Sequence, residues 1–263
     1  MNKIVIQIYE VQTPSEAEKL IEFGVDHIGS VILSVGEWKS PELKEAINRI
    51  QSLNARSSLI PLFSDADLIF RTMDYYRPDI IHFCESMTVR GDLDNTLGRL
   101  LELQTDVKNR FPEIKIMRSI PIPENKTASS EIALELARQF EPVSDYFLTD
   151  TLLIDESGAG DANQPVEGFV GITGKTCSWD TAERLVESSR PPVILAGGLS
   201  PENVFESILR VRPAGVDSCT GTNAMDAAGR PVRFKKDLEK VKRFVAETRR
   251  AEKLLRKTKA NYY

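Results

Sequence analysis

The chain has 263 residues, enough for one large core, because single α/β barrels commonly reach about this length. Its apolar fraction of 41% and charged fraction of 28% are typical of an ordinary globular protein. A formal net charge of -5 argues against a nucleic-acid-binding surface, although a small anionic ligand can still bind locally.

Targeting and metal-binding patterns are missing from the sequence. The apolar run at the N-terminus is short and no run is long enough to span a bilayer, so we expect neither export nor membrane association. Cys84, Cys177 and Cys219 are odd in number and far apart, which is typical of free thiols in the cytoplasm. His27 and His82 occur in no metal-ligand spacing, so we expect no metal and no other cofactor.

Short β-rich apolar runs recur along the whole chain. Eight of them predict strands, at 3–9, 27–33, 57–63, 79–84, 114–120, 146–151, 192–198 and 215–221.

A segment with helical periodicity follows each predicted strand. In the fourth, Leu97, Leu100 and Leu101 form one apolar stripe, while Arg99 and Glu102 fall on the opposite side. The eight predicted helices are 15–24, 41–53, 65–77, 93–111, 130–140, 179–189, 201–211 and 235–255.

Eight strand–helix units in a chain of this size predict a single (β/α)8 TIM barrel over 1–263, with a doubly wound open sheet as the alternative. The segment 151–170, which follows the sixth strand, is rich in Gly, Asp and Asn and is a candidate lid. The basic stretch 249–263 is expected to be a helical extension or a solvated tail.

Three glycine-containing turns follow the last predicted strands: GITGKT, AGGLSPEN and CTGTN. In the second, Ser200 has the pattern of an N-cap and Pro201 that of a first helical residue. Glycines let backbone N–H groups approach an anion, so turns that converge at one end of a barrel predict a phosphate site. GITGKT is not a P-loop, since Phe169 occupies the position of its first glycine.

These motifs also carry a family resemblance. FLTDT, G-x-T-G-K-T-x-x-W, ILAGGLSPENV, R-P-x-x-V-D-S-x-T-G and FKKDLEKVKRFV occur in the order found in the C-terminal half of phosphoribosylanthranilate isomerase, an enzyme of tryptophan biosynthesis. T-x-x-E-A-x-x-x-x-x-x-G-x-D-x-x-G at 13–29 extends the resemblance to most of the chain. The family is a TIM barrel without a cofactor, so the resemblance implies an isomerase that acts on a small phosphorylated substrate as a monomer or homodimer.

The resemblance assigns functional residues by position. The general acid of the family would be Asp150, which from the residues alone is equally readable as a structural acceptor. The phosphate site would comprise Gly174, Lys175, Gly197, Gly198, Thr220 and Gly221.

Two catalytic positions depart from the family pattern. Tyr9 stands where the family has the cysteine that acts as general base, and Glu10 stands at the glycine after it. Glu37 replaces the arginine that binds the anthranilate carboxylate, and a negative charge there would repel that group.

Other strand-end residues can supply the missing base. We predict that Glu10 and Asp150 form the acid–base pair, since burial can raise the pKa of one carboxyl. The hydroxyl of Tyr9 is too weak an acid to serve as a ready base, but it can stack on or hydrogen-bond the ligand. His82 is either a ligand contact or a packed histidine, and Arg118 is either a carboxylate clamp or one half of a salt bridge. Cys84 is expected to be an inert apolar residue.

These residues are compatible with three functions. The first interpretation is a phosphosugar isomerase with acid–base proton transfer, aldose–ketose type, acting on an altered substrate. The alternatives are an authentic phosphoribosylanthranilate isomerase and a barrel that binds a phosphorylated metabolite without catalysis.

Overall fold

A computed structural model describes residues 3–86, 93–124, 129–153, 168–171 and 173–260. Eight parallel strands alternate with eight helices in these residues. The strands are β1 (Val5–Ile8), β2 (His27–Ile32), β3 (Arg56–Pro61), β4 (Ile80–Phe83), β5 (Lys115–Pro123), β6 (Tyr146–Leu152), β7 (Val193–Leu195) and β8 (Gly215–Ser218).

The helices begin where the sequence offers capping residues. The side chains of Thr13, Ser40, Asp65 and Ser178 each accept a hydrogen bond from the backbone N–H three residues later, which satisfies a free donor of the first turn. The helices are α1 (Pro14–Glu22), α2 (Pro41–Ser52), α3 (Ala66–Tyr76), α4 (Leu93–Arg110), α5 (Ser129–Phe140), α6 (Trp179–Ser188), α7 (Val204–Val211) and α8 (Leu238–Ala260).

The sheet closes on itself. Each strand pairs with the next along the chain, and β1 also pairs in parallel with β8, with Val5 opposite Gly215 and Gln7 opposite Asp217. The prediction of a TIM barrel is therefore confirmed, and the open sheet is excluded.

Side chains alternate between the two faces of the barrel wall. On β5, Met117 packs inside the barrel with Tyr9, whereas Ile116 and Ile120 belong to the apolar layers between sheet and helices. Parity along each strand thus decides whether a polar residue reaches the barrel interior.

The structure differs from the predicted elements at two places after β7. Helix α7 begins at Val204 and not at Pro201, because Asn203 accepts a hydrogen bond from Ser200 N and donates one to Gly198 O, which folds the preceding residues into a turn. A two-stranded hairpin, β9 (Asn223–Met225) with β10 (Pro231–Lys236), stands between β8 and α8, and the sequence patterns did not predict it.

Of the candidate lid at 151–170, residues 154–167 lie outside the described part. The described end of this segment packs on the barrel: Phe169 forms an antiparallel bridge with Glu85, and Val170 N donates to Cys84 O.

The basic stretch from 249 continues α8 as far as Ala260. Among the described helices, none is long and apolar enough to cross a membrane.

Candidate active site

One pocket opens at the carboxyl ends of the strands, where the loops after β1, β6, β7 and β8 meet. Its polar lining comes from Tyr9, Glu10, His82, Asp150 and Asp217. Most of the predicted phosphate residues line the same pocket: Gly174, Gly197, Gly198, Thr220 and Gly221. The chain therefore brings the candidate acid–base residues and the glycine turns to one place.

Gly198 and Gly221 pack so closely on neighbouring turns that neither position has space for a side chain. A Cβ on Gly198 would lie 2.5 Å from the carbonyl carbon of Lys175, and one on Gly221 would collide with the carbonyl oxygen of Leu199. Such backbone contact is suited to an anion held by N–H groups. Lys175, also predicted for this site, does not line the pocket, and its Nζ lies 3.2 Å from Glu124 Oε2.

Asp150 stands at the carboxyl end of β6 and lines the pocket. Its Oδ1 accepts a hydrogen bond of 2.9 Å from Thr151 N, and Gly171 packs directly against its carboxyl group. Burial raises the pKa of Asp150 to about 7, so a large fraction of this group carries a proton at neutral pH. A carboxyl in that state is suited to general acid catalysis.

Asp217 is a second buried carboxyl in the pocket, located on β8. Burial raises its pKa to about 8, while a side-chain hydrogen bond with Gln7 acts in the opposite direction. Its Oδ1 has no hydrogen-bond partner among the described residues. The raised pKa and the unpartnered oxygen make Asp217 a further candidate for proton transfer.

Glu10 has an unusual backbone conformation for its residue type. Its φ of 61° lies in the left-handed region that favours glycine, the residue found here in the resembled family. Its side chain is 1% exposed and its Oε1 lies 2.6 Å from Arg233 Nε, yet Oε2 has no partner among the described residues. A buried carboxylate that combines a left-handed backbone with an unpartnered oxygen is a candidate functional group, because strained residues held in place by their surroundings cluster at active sites.

Tyr9 anchors a hydrogen-bond network that crosses the barrel interior. Its hydroxyl lies 2.6 Å from Ser58 Oγ and 2.7 Å from His82 Nδ1, and His82 Nε2 lies 2.8 Å from Ser119 Oγ. The ring packs against Gly29, where any side chain would collide with it. Burial lowers the pKa of His82 to about 3 and raises that of Tyr9 well above its ordinary value, so this network is neutral.

The two thiols that line the pocket are neutral as well. Burial raises the pKa of Cys84 and of Cys219 well above the ordinary range of a thiol. A neutral thiol is a poor base, so neither residue is suited to that role.

Two expectations about charged residues need correction. Arg118 is not a substrate clamp: it is 0% exposed, faces the helix layer, stacks 4.7 Å from the Phe140 ring and bonds Glu85 Oε2 at 2.5 Å. The salt-bridge alternative is therefore the right one for Arg118. Glu37 lies in an exposed turn after β2 and does not line the pocket, so it does not stand in the pocket as a repelling charge.

The family relationship comes from sequence comparison. A family model described as N-(5'phosphoribosyl)anthranilate (PRA) isomerase matches residues 112–247, just over half of the chain. The PRA isomerase of Methanosarcina acetivorans is 25% identical over 249 residues, covering 93% of this chain and 92% of that protein. The one from Desulfitobacterium hafniense is 29% identical over 264 residues, covering 95% and 99%.

Solved structures agree in fold. PRA isomerase from Thermotoga maritima matches with a TM-score of 0.65 at 20% identity, covering 94% of this chain and 98% of the other. A PRA isomerase in complex with reduced 1-(o-carboxyphenylamino)-1-deoxyribulose 5-phosphate matches with a TM-score of 0.64 at 19% identity and the same coverage. At these identities the likeness shows the barrel fold alone.

Replacement of Arg118 tests its structural role. Arg118→Met leaves the carboxylate of Glu85 buried without its cation, so we expect the free energy of unfolding in urea to fall by about 3 to 5 kcal/mol. The double variant Arg118→Met/Glu85→Gln should recover part of that loss, because no buried charge remains. A loss below about 1 kcal/mol in the single variant would contradict the structural role.

The raised carboxyl pKa values predict how stability changes with pH. Between pH 6.5 and 8 the folded chain holds protons on Asp150 and Asp217 that the unfolded chain has released, so the free energy of unfolding should fall as pH rises. His27 and His82, whose pKa values are lowered to about 4 and about 3, act in the opposite direction, but this effect fades above about pH 6.5 as the unfolded chain also releases these protons. Urea titrations at several pH values should show a weaker dependence in Asp150→Asn, and an unchanged one in Asp67→Asn, which alters an exposed carboxyl of α3.

Proposed function

This chain belongs to the PRA isomerase family, and we propose that it converts PRA into its ketose isomer, 1-(o-carboxyphenylamino)-1-deoxyribulose 5-phosphate. It is an isomerase by family. The observation that carries the specific proposal is Asp150, a carboxyl with a pKa raised to about 7 that faces the glycine turns across one pocket. Relatives named PRA isomerase along nearly the whole chain support the same substrate.

The reaction is a pair of balanced proton transfers. Asp150 donates its proton to the ring oxygen of the aminosugar, the bond between that oxygen and C1 breaks, and an iminium ion forms. Glu10 then removes the proton from C2, and the resulting enol-amine rearranges to the ketose. One proton leaves Asp150 and one arrives on Glu10, so the net change is isomerisation and no cofactor is required.

The substrate phosphate is proposed to bind the glycine turns through backbone N–H groups. Gly174, Gly197, Gly198, Thr220 and Gly221 line this side of the pocket. A site made of backbone dipoles binds the phosphate without placing a lysine beside Asp150, and a lysine there would favour the unprotonated carboxylate.

A second candidate is the same isomerisation of a phosphosugar with another head group. Tyr9 fills the position of the family's thiol, and Glu37 stands where the family has its carboxylate-binding arginine. Both replacements lie before residue 112, outside the stretch that the family model matches. They favour a head group that differs from anthranilate.

One set of assays separates these functions. The protein should convert PRA, generated from anthranilate and phosphoribosyl pyrophosphate, and should restore growth of a tryptophan auxotroph that lacks this isomerase. No PRA turnover, together with conversion of another phosphosugar, would identify the second candidate. Thermal stabilisation by phosphosugars without any product would instead identify a non-catalytic binder and overturn both.

The pH profile tests Asp150 as the acid. Because the reaction needs the protonated form, kcat/KM should fall about tenfold per pH unit above pH 7. Asp150→Asn should lose turnover by about 10²-fold or more while keeping its affinity for ribose 5-phosphate. A profile that stays flat up to pH 9 would exclude this role.

The Glu10→Gly variant tests both the proposed role of Glu10 as base and the strain of its backbone. Glu10→Gly removes the carboxylate and restores the residue type that tolerates a φ of 61°, so turnover should fall by about 10²-fold or more while Tm stays equal or rises. Glu10→Gln is the matched control, since it loses the base but keeps the strained backbone. Full turnover in either variant would show that another group is the base.

A further inference from the structure

The hairpin of β9 and β10 is anchored at the mouth of the barrel. At its base, Lys236 Nζ donates hydrogen bonds of 3.0 Å to Cys219 O and 2.5 Å to Asn223 Oδ1, and Lys236 N donates to Glu16 Oε1. Phe234, with a φ of 59°, packs against the apolar cluster of the barrel interior. These contacts fix the strand that carries Arg233 beside Glu10.

Arg233 stands between a pocket carboxylate and solvent. Its Nε and Nη2 lie 2.6 and 2.5 Å from the same oxygen, Glu10 Oε1, so the guanidinium uses its donors on one atom and leaves Oε2 unpaired. The Arg233 side chain is 38% exposed, whereas Glu10 is 1% exposed. This cation can therefore turn to another partner without first leaving a buried site.

The lining of the pocket leaves a substrate with two anionic groups short of cations. Glu10, Asp150 and Asp217 line the pocket, and no described lining residue is Lys or Arg. Lys175 is directed to Glu124, and Arg118 is directed to Glu85 in the helix layer. Among the described cations, Arg233 is the one that contacts a charged group of the pocket wall.

We propose that Arg233 binds the carboxylate of the substrate head group and, in doing so, releases Glu10. This inference rests on the proposed function, because it requires a substrate with a carboxylate at the end opposite the phosphate. A planar guanidinium matches a carboxylate in two parallel hydrogen bonds, a better geometry than two donors on the single oxygen of Glu10. Once Arg233 has turned to the substrate, both carboxylate oxygens of Glu10 are open to accept a proton.

A pair of ligands that differ in one group tests this inference by binding alone. The first is reduced 1-(o-carboxyphenylamino)-1-deoxyribulose 5-phosphate, and the second is the same compound without the carboxyl group. Dissociation constants are measured by calorimetry for the full chain, for Arg233→Met and for Arg233→Lys. Arg230→Met is the matched control, because Arg230 lies on the same hairpin but pairs with Asp226.

The wild-type chain and Arg230→Met should bind the carboxylated ligand about tenfold or more tightly than its partner. Arg233→Met should reduce this preference to less than about twofold without changing the affinity for the second ligand, and Arg233→Lys should retain part of it. A preference that persists in Arg233→Met, or equal loss of both ligands, would overturn the role of Arg233. If the wild-type chain binds both ligands equally, this inference fails alone; if it binds neither, the proposed function fails as well.

Discussion

The parallel pairing of β1 with β8 is the constraint on which the pocket depends. It sets Gln7 opposite Asp217 and closes eight strands into one wall, so that the loops of the first and last strands share one rim. Glu10 and Arg233 are 223 residues apart in the chain and nevertheless in contact because of this closure. An open sheet would leave β1 and β8 unpaired, and the acid, the base and the glycine turns would not surround one ligand.

The phenol of Tyr9 is buried inside the barrel and determines which residues can surround it. A hydroxyl inside a barrel needs hydrogen-bond partners, and Tyr9 has them in Ser58 on β3 and His82 on β4. Its ring needs space, which Gly29 on the neighbouring strand provides. The network is uncharged, and its hydrogen-bonding atoms are paired with one another, so it holds Tyr9 and His82 in fixed positions in the pocket lining. Glu10, the residue after Tyr9 in the loop that follows β1, is the proposed base.

The sequence predicts those structural features that depend on residues close together in the chain, and it misses those that depend on contacts between distant residues. Alternating strand and helix patterns predict all eight units, because periodicity is set within each segment. The prediction failed for Arg118 because residue type was considered without strand parity: Met117 lies inside the barrel, so its neighbour faces the helices. The role of Arg233 was missed for another reason. Its partner lies at the other end of the chain, and the short hairpin that carries it lacks the apolar run of a buried strand.

The departures from the family pattern are consistent with one coupled change. The family carries its base on β1 and its carboxylate-binding arginine after β2, whereas here the proposed base is Glu10 and the proposed arginine follows β8. Strands β2 and β8 are the two neighbours of β1, so either arrangement keeps a cation beside the base. Without substrate, Arg233 occupies Oε1 of Glu10 and so restrains the proposed base. Movement of Arg233 to the substrate removes that restraint only when a carboxylate is bound, and this couples recognition of the head group to proton transfer.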